Sequence, residues 1–183
     1  MSSIAKRPWT AEELDRLPQG WRYEIDEGEL VIMTPAGRRH GLLTLRIARL
    51  LADFVDEHRL GEVNGAELGV YLQEEPETLR SVDVAFFSTE RAEMLKGEIG
   101  FVRVPPDLAV EIHDPSELDM ARKVRQYLKA GVHSVWVVDP EKQTLTLHRP
   151  EQGLVVLTNL DALVEDPVLQ GFSCRLRDLF GTA

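Results

Sequence analysis

The chain has 183 residues, 43% of them hydrophobic and 28% charged, enough apolar content for one ordinary core beneath a charged surface. No apolar run approaches the ~18 residues of a membrane span, the lone Cys174 excludes an internal disulfide, and Met1–Trp9 lacks the apolar segment of a secretory signal, so a cytoplasmic location is the default expectation. Lys and Arg number 21 against 31 Asp and Glu, and the resulting net charge of −10 opposes long-range attraction to nucleic acid.

Thr10-Ala11-Glu12-Glu13 reads as a capping box that opens a short helix ending near Leu17, with Pro18 and Gly20 as breakers. Arg22–Ile25 and Glu29–Met33 flank Asp26-Glu27-Gly28 as a hairpin. The longest helical pattern follows over about 39–59: Leu42, Leu43, Leu45, Ile47, Leu50, Leu51, Phe54 and Val55 recur at helical spacing, and Gly61 is expected to stop it. Short strands are expected at about 61–64 and 69–73, then an acidic turn, Glu74–Glu77. Val82–Phe87 reads as a buried strand, 90–96 as a short helix, and Pro105-Pro106 enforces an extended entry into a strand at Asp107–Ile112. Ser116 is a plausible N-cap for a helix over 117–130, which Gly131 ends. Ser134–Val138 is a continuous apolar strand, Thr144–His148 and Leu154–Thr158 alternate as a hairpin, and a last short strand is expected near Phe172–Leu176. The strand–helix–strand unit from 107 to 138 should be a right-handed crossover with parallel strands. The expected architecture is therefore α/β, a mixed sheet covered by helices.

Two acids interrupt apolar strands: Asp83 in Val82–Phe87 and Glu111 in Leu108–Ile112. Buried acids are rare unless paired, hydrogen-bonded or bound to a cation. Each alone could be a strand-end acid held by backbone N–H groups. Two in neighbouring strands repel each other, and a hard divalent cation is the simplest remedy. In the next helix Lys123 and Tyr127 share a face, and the first turns of a crossover helix point back toward Glu111. A lysine on a helix is more often simply solvated. Glu111 and His113 can point to one face of their strand. His113 could be a ligand, a proton shuttle or a strand-end polar residue. His40 opens the long helix amid Arg38, Arg39, Arg46 and Arg49, and a second basic group gathers Arg122, Lys123, Arg125 and Lys129. Either group reads equally well as a phosphate-contacting face or a solvated one. No phosphate-cradling glycine loop, nucleophile elbow or zinc motif is present.

Taken together, several segments resemble a known family. They are Arg22-Tyr23-Glu24, Gly28-Glu29-Leu30-Val31, His40, Gly61-Glu62-Val63, Ser81–Phe86 and Pro106–Ile112. Asp114-Pro115-Ser116, Lys123-Val124-Arg125-Gln126-Tyr127, Ala130-Gly131-Val132 and Val135–Pro140 complete the set. In this order and spacing, from about residue 10 to 181, they resemble the Uma-type family of proposed endonucleases, within the PD-(D/E)XK restriction-endonuclease-like superfamily. The resemblance implies one restriction-endonuclease-like domain over 1–183, with its core at about 39–140 and hairpin additions at both ends. It makes Asp83 and Glu111 the motif acids. Val82 stands in place of the frequent proline, and His113 in place of the strand lysine, which the family supplies from the next helix, here Lys123. Glu24 also matches a family position. The implied activity is hydrolysis of DNA phosphodiester bonds with Mg²⁺, or alternatively Mn²⁺, held by Asp83, Glu111 and the Ile112 carbonyl. Lys123 would act on the water or the transition state, and His40 and Tyr127 on the phosphate or its waters. A homodimer is left open. The rival reading is a catalytically silent nuclease-fold module that binds nucleic acid or a protein partner. An enzyme acting on another acidic or small phosphorylated substrate is a second rival.

Overall fold

The computed structural model describes residues 7–181 apart from 15, 19, 20, 115–118 and 151, and only the backbone of 66 and 67. Ala11–Leu14 (α1) is one helical turn, and Glu13 reaches back to accept the Thr10 N–H at 3.1 Å, as the capping box requires. Arg22–Asp26 (β1) and Glu29–Met33 (β2) pair as a hairpin. Its turn residues Glu27 (φ 49°) and Gly28 (φ 82°) are both left-handed, matching the twist of a two-residue hairpin. Arg38–His58 (α2) buries Leu43, Ile47, Leu51 and Val55. Arg59, not Gly61, takes the left-handed C-terminal position (φ 53°, ψ 45°). Gly61 instead opens Gly61–Gln73 (β3), where a Cβ would lie 2.0 Å from the Phe87 carbonyl oxygen.

The two strands expected at 61–64 and 69–73 are one strand, with register shifts between Gly65 and Leu68 and between Tyr71 and Gln73. Thr78–Ser88 (β4), Thr89–Met94 (α3) and Leu108–Ile112 (β5) follow. Met120–Lys129 (α4) is capped by Asp119, whose side chain accepts the Arg122 N–H at 2.8 Å. The expected cap Ser116 lies outside the described residues. Ser134–Asp139 (β6), Thr144–Arg149 (β7) and Gly153–Leu157 (β8) complete the main sheet. Leu163–Glu165 (β9), Ser173–Arg175 (β10) and Leu176–Phe180 (α5) close the described chain. Neither β9 nor α5 was legible in the sequence, because elements of three and five residues are too short to show a period.

The main sheet runs β2-β1-β4-β5-β6-β7-β8, with β3 paired to β4. β5 and β6 are parallel across α4, as the crossover rule requires, and the other strand pairs are antiparallel. Val84, Phe86, Leu108, Val110 and Ile112 pack with α2 on one face. Ala85, Phe87, Ala109 and Val135 pack with Val124 and Tyr127 of α4 on the other. This is the mixed sheet between helices expected from the sequence. The C-terminal segment joins the α2 layer through Val164, Leu169, Phe172, Leu176 and Leu179. It is also tied down by buried Asp166, which accepts from Ser134 Oγ at 2.6 Å and Trp136 Nε1 at 2.9 Å.

The sheet is irregular at the middle of β4. A strand has two edges, and β3 occupies one edge of β4 along its length. The other edge is shared: β1 pairs at Leu79, and β5 pairs from Val84 onward. Between them, over 80–83, the sheet forks. Val82 and Val84 are two residues apart, yet they join cores on opposite faces. The alternation therefore slips at Asp83, opposite the bulge in β3. Bulges commonly re-aim side chains in this way.

Candidate active site at the fork of the sheet

A forked sheet leaves backbone groups without ladder partners, and buried ones must be satisfied by other means. Here side chains take that place. Asp83 Oδ2 accepts the Ile112 N–H at 2.8 Å, Glu24 Oε1 accepts the Ser81 N–H at 2.9 Å, and Lys123 Nζ donates to the Ser81 carbonyl at 3.3 Å. The groups that mend the fork are the ionisable residues that the sequence singled out.

Asp83 and Glu111 are one step beyond the last ladder pair, Val84 and Val110, on adjacent antiparallel strands. Both are buried, at 3% and 1% exposure, and both line a cavity of ≈ 470 Å³. Lys123, itself 3% exposed, reaches from α4 to Glu111 Oε2 at 2.8 Å and to Glu24 Oε1 at 3.3 Å. It is not the solvated helix lysine that its residue type suggests. Tyr127 stands behind Glu111. It is fully buried, does not line the cavity, and donates its hydroxyl to Glu111 Oε1 at 2.6 Å. The expectation for Tyr127 is a contact with phosphate or its waters; in the structure its hydroxyl meets the Glu111 carboxylate. Burial, reinforced by the Glu111 charge, holds the Tyr127 phenol well above its usual range, so it remains a donor.

His40, at the first turn of α2, places Nε2 3.1 Å from Asp83 Oδ2, with Thr44 Oγ1 3.4 Å from Nδ1. The hydrogen bond to Asp83 raises the imidazole pKa, and partial burial opposes the rise. Ile112 lines the cavity through β5. His113 spends its backbone N–H on the Val138 carbonyl at 2.8 Å and is absent from the cavity lining.

Sequence reasoning missed Arg80. It is 6% exposed and bonds Glu24 Oε2 and Asp26 Oδ2 at 2.9 Å each, and its Nη2 also bonds the Gln126 side chain at 2.7 Å. The available signal was a single arginine inside an otherwise uncharged strand stretch, Thr78–Val82. Burial would push the Glu24 carboxyl up, but Lys123 and Arg80 outweigh it and hold Glu24 below its usual range. Much of the basic segment 37–52 is used in packing. Arg39 bonds the Pro140 carbonyl and Arg46 the Phe180 carbonyl.

The donor set fits a hard divalent cation. Among the described residues, the cavity is lined by Glu24, Asp26, Asp83, Glu111, Asp114 and Asp119 against Arg22, Arg80, Arg122 and Lys123, an excess of two carboxylates over arginine and lysine, with His40 beside Asp83. Asp83 Oδ1 makes no hydrogen bond among the described residues. No group of three or more His, Cys, Asp and Glu is arranged as a ready cage among the described residues. Magnesium does not need one, because it takes one or two carboxylates and keeps several waters.

A family model described as "Uma2: Putative restriction endonuclease" matches residues 11–177. No curated protein matches the chain. Among solved structures, a protein of Anabaena variabilis ATCC 29413, described as "a putative nuclease belonging to DUF820", aligns with a TM-score of 0.79. The identity is 24%, over 94% of this chain and 98% of that one. At that identity the likeness shows a shared fold.

Proposed function

The chain belongs to the Uma2 family described as putative restriction endonucleases, and from that premise we propose a magnesium-dependent phosphodiesterase acting on DNA, with its active site at the fork. The observation that carries this reading is Lys123, brought from α4 to 2.8 Å from buried Glu111 in the cavity that Asp83 also lines. Mg²⁺ or Mn²⁺ held by Asp83, Glu111 and the Ile112 carbonyl would supply Lewis acidity and a water acidic enough to act as nucleophile. The chain's own residues do the rest. Tyr127 fixes the Glu111 carboxylate from behind, and His40 together with the Ile112 N–H fixes that of Asp83. Lys123 lies between two carboxylates, so Glu24 can keep the ammonium in place when Glu111 turns to a cation. There it can neutralise charge developing on the phosphoryl oxygens.

The rival, a catalytically silent nucleic-acid-binding module, is favoured by one specific feature: both Glu111 oxygens already have protein partners. Nicking of supercoiled plasmid with Mg²⁺ or Mn²⁺, against a chelated control and Asp83→Ala, decides between them. Metal-dependent nicking that Asp83→Ala abolishes is expected. DNA binding without nicking in either metal would establish the silent module.

We propose a homodimer through β8, the last strand of the main sheet, where Leu154, Val155 and Val156 are exposed. Light scattering that gives a monomer mass would refute it. No helix among the described residues is long and apolar enough to cross a membrane.

A further inference from the structure

A second cavity, of ≈ 310 Å³, lies along α4 and is lined by Glu27, Thr78, Arg122, Arg125, Gln126 and Lys129 among others. Arg122 lines this cavity and the one at the fork, so the two adjoin. Arg122, Arg125, Gln126 and Lys129 are spaced i, i+3, i+4 and i+7, which puts them on one face of the helix. Among the described residues the groove is lined by one acid, Glu27, and Arg122 already pairs with it at 3.0 Å. Arg125 is exposed and makes no hydrogen bond or ion pair among the described residues, and Lys129 donates only to the Gln73 side chain there, at 3.1 Å. On the adjoining turn, Glu74 faces Arg103 at 3.6 Å and Glu77 accepts the Ala11 N–H.

We propose that this groove is a binding track for the sugar–phosphate backbone of a nucleic acid whose scissile bond lies at the fork. The inference rests on the nuclease reading and adds where the strand runs. Residues 122 to 129 span about 10 Å of helix, the axial length of about three phosphates of one strand. A locally basic track leading to a negative pocket also answers the objection raised by a net charge of −10. The body repels polyanions at long range, whereas the groove holds a strand at contact distance, within the ~10 Å reach of screened charges.

The test is fluorescence anisotropy of labelled duplex and single-stranded DNA in chelator, titrated from 50 to 200 mM salt (roughly the range in which phosphate contacts dominate). Arg125→Ala/Lys129→Ala and Arg125→Glu/Lys129→Glu are compared with wild type and with Lys96→Glu, an exposed cation in the turn after α3. The alanine pair should lower the salt slope by about 1.4–1.8 and weaken binding about 10–100-fold, with the glutamate pair weaker still. Lys96→Glu and all melting temperatures should match wild type. Wild-type affinity and slope in both double variants would overturn the track while leaving metal-dependent nicking, and hence the nuclease reading, intact. A binding loss in the variants of a protein that never nicks plasmid would keep the track and remove the nuclease. A wild type that binds neither form of DNA would overturn both.

Discussion

Replacing Glu111 by alanine is the perturbation with the clearest structural consequence. It removes the carboxylate 2.8 Å from Lys123 Nζ and the acceptor of the Tyr127 hydroxyl, and leaves Glu24 3.3 Å from the same ammonium. At an effective dielectric of ~20 the two ion pairs have gross Coulomb energies of about 6 and 5 kcal/mol. The lysine thus loses about half of its compensation from these two acids. Stranding a buried charge completely costs about 3–5 kcal/mol, and orphaning a buried hydroxyl costs about 1–3. With Glu24 retained, a total near 3 kcal/mol is expected. For a chain of this size that lowers Tm by about 6–12 °C. This departs from the simplest picture of an empty metal site, in which removing either of two repelling acids would be neutral or stabilising. The measurement is thermal and urea denaturation in chelator, so that bound metal cannot mask the change. Lys123→Met added to Glu111→Ala should recover part of the loss, since the stranded charge is then gone. If Glu111→Ala melts with wild type, or if the second substitution recovers nothing, the buried pair does not carry the energetics assigned to it.

Two further outcomes can be stated. Lys123→Ala should lower the plasmid nicking rate by about 10²–10³ while preserving the Tm increase that Mn²⁺ produces, because the ammonium acts on developing charge and not on the cation. An unchanged rate would remove Lys123 from the chemistry. For Glu24, the folded-state pKa lies below the usual 4.5, so its stabilising contribution is fully present above that value and is lost as pH falls through the lowered one. Glu24→Gln should therefore be less stable near neutrality and show a shallower acid limb in stability against pH. Parallel wild-type and variant curves between about pH 5 and 2 would show that Glu24 is not the titrating group.

The elements with enough length to show a period were legible in the sequence. These include α2, the apolar strands β4 to β6, the α4 crossover and the β1–β2 hairpin, whose turn needs Gly28 at positive φ. The two acids stood out because a carboxylate inside an apolar strand is costly and demands a partner. The partners themselves were not legible from spacing alone. Lys123 and Tyr127 are 12 and 16 residues from Glu111, and the Asp83–Ile112 and Glu24–Ser81 bonds span 29 and 57. Crossover geometry put Lys123 within reach of Glu111, and the resemblance singled it out from the other helix lysines. For Arg80 the one signal was its place in the otherwise uncharged stretch Thr78–Val82, which does not by itself separate a buried arginine from an exposed one. Likewise, the two basic clusters read with equal weight in the sequence. Folding uses Arg39 and Arg46 of one as backbone staples and lays the other along a groove beside the fork. Local pattern determines which segments are helix or strand, since periodicity is a property of neighbours in the chain. Which charges meet was decided by the tertiary structure, because a forked sheet brings distant segments together around backbone groups that have no ladder partner.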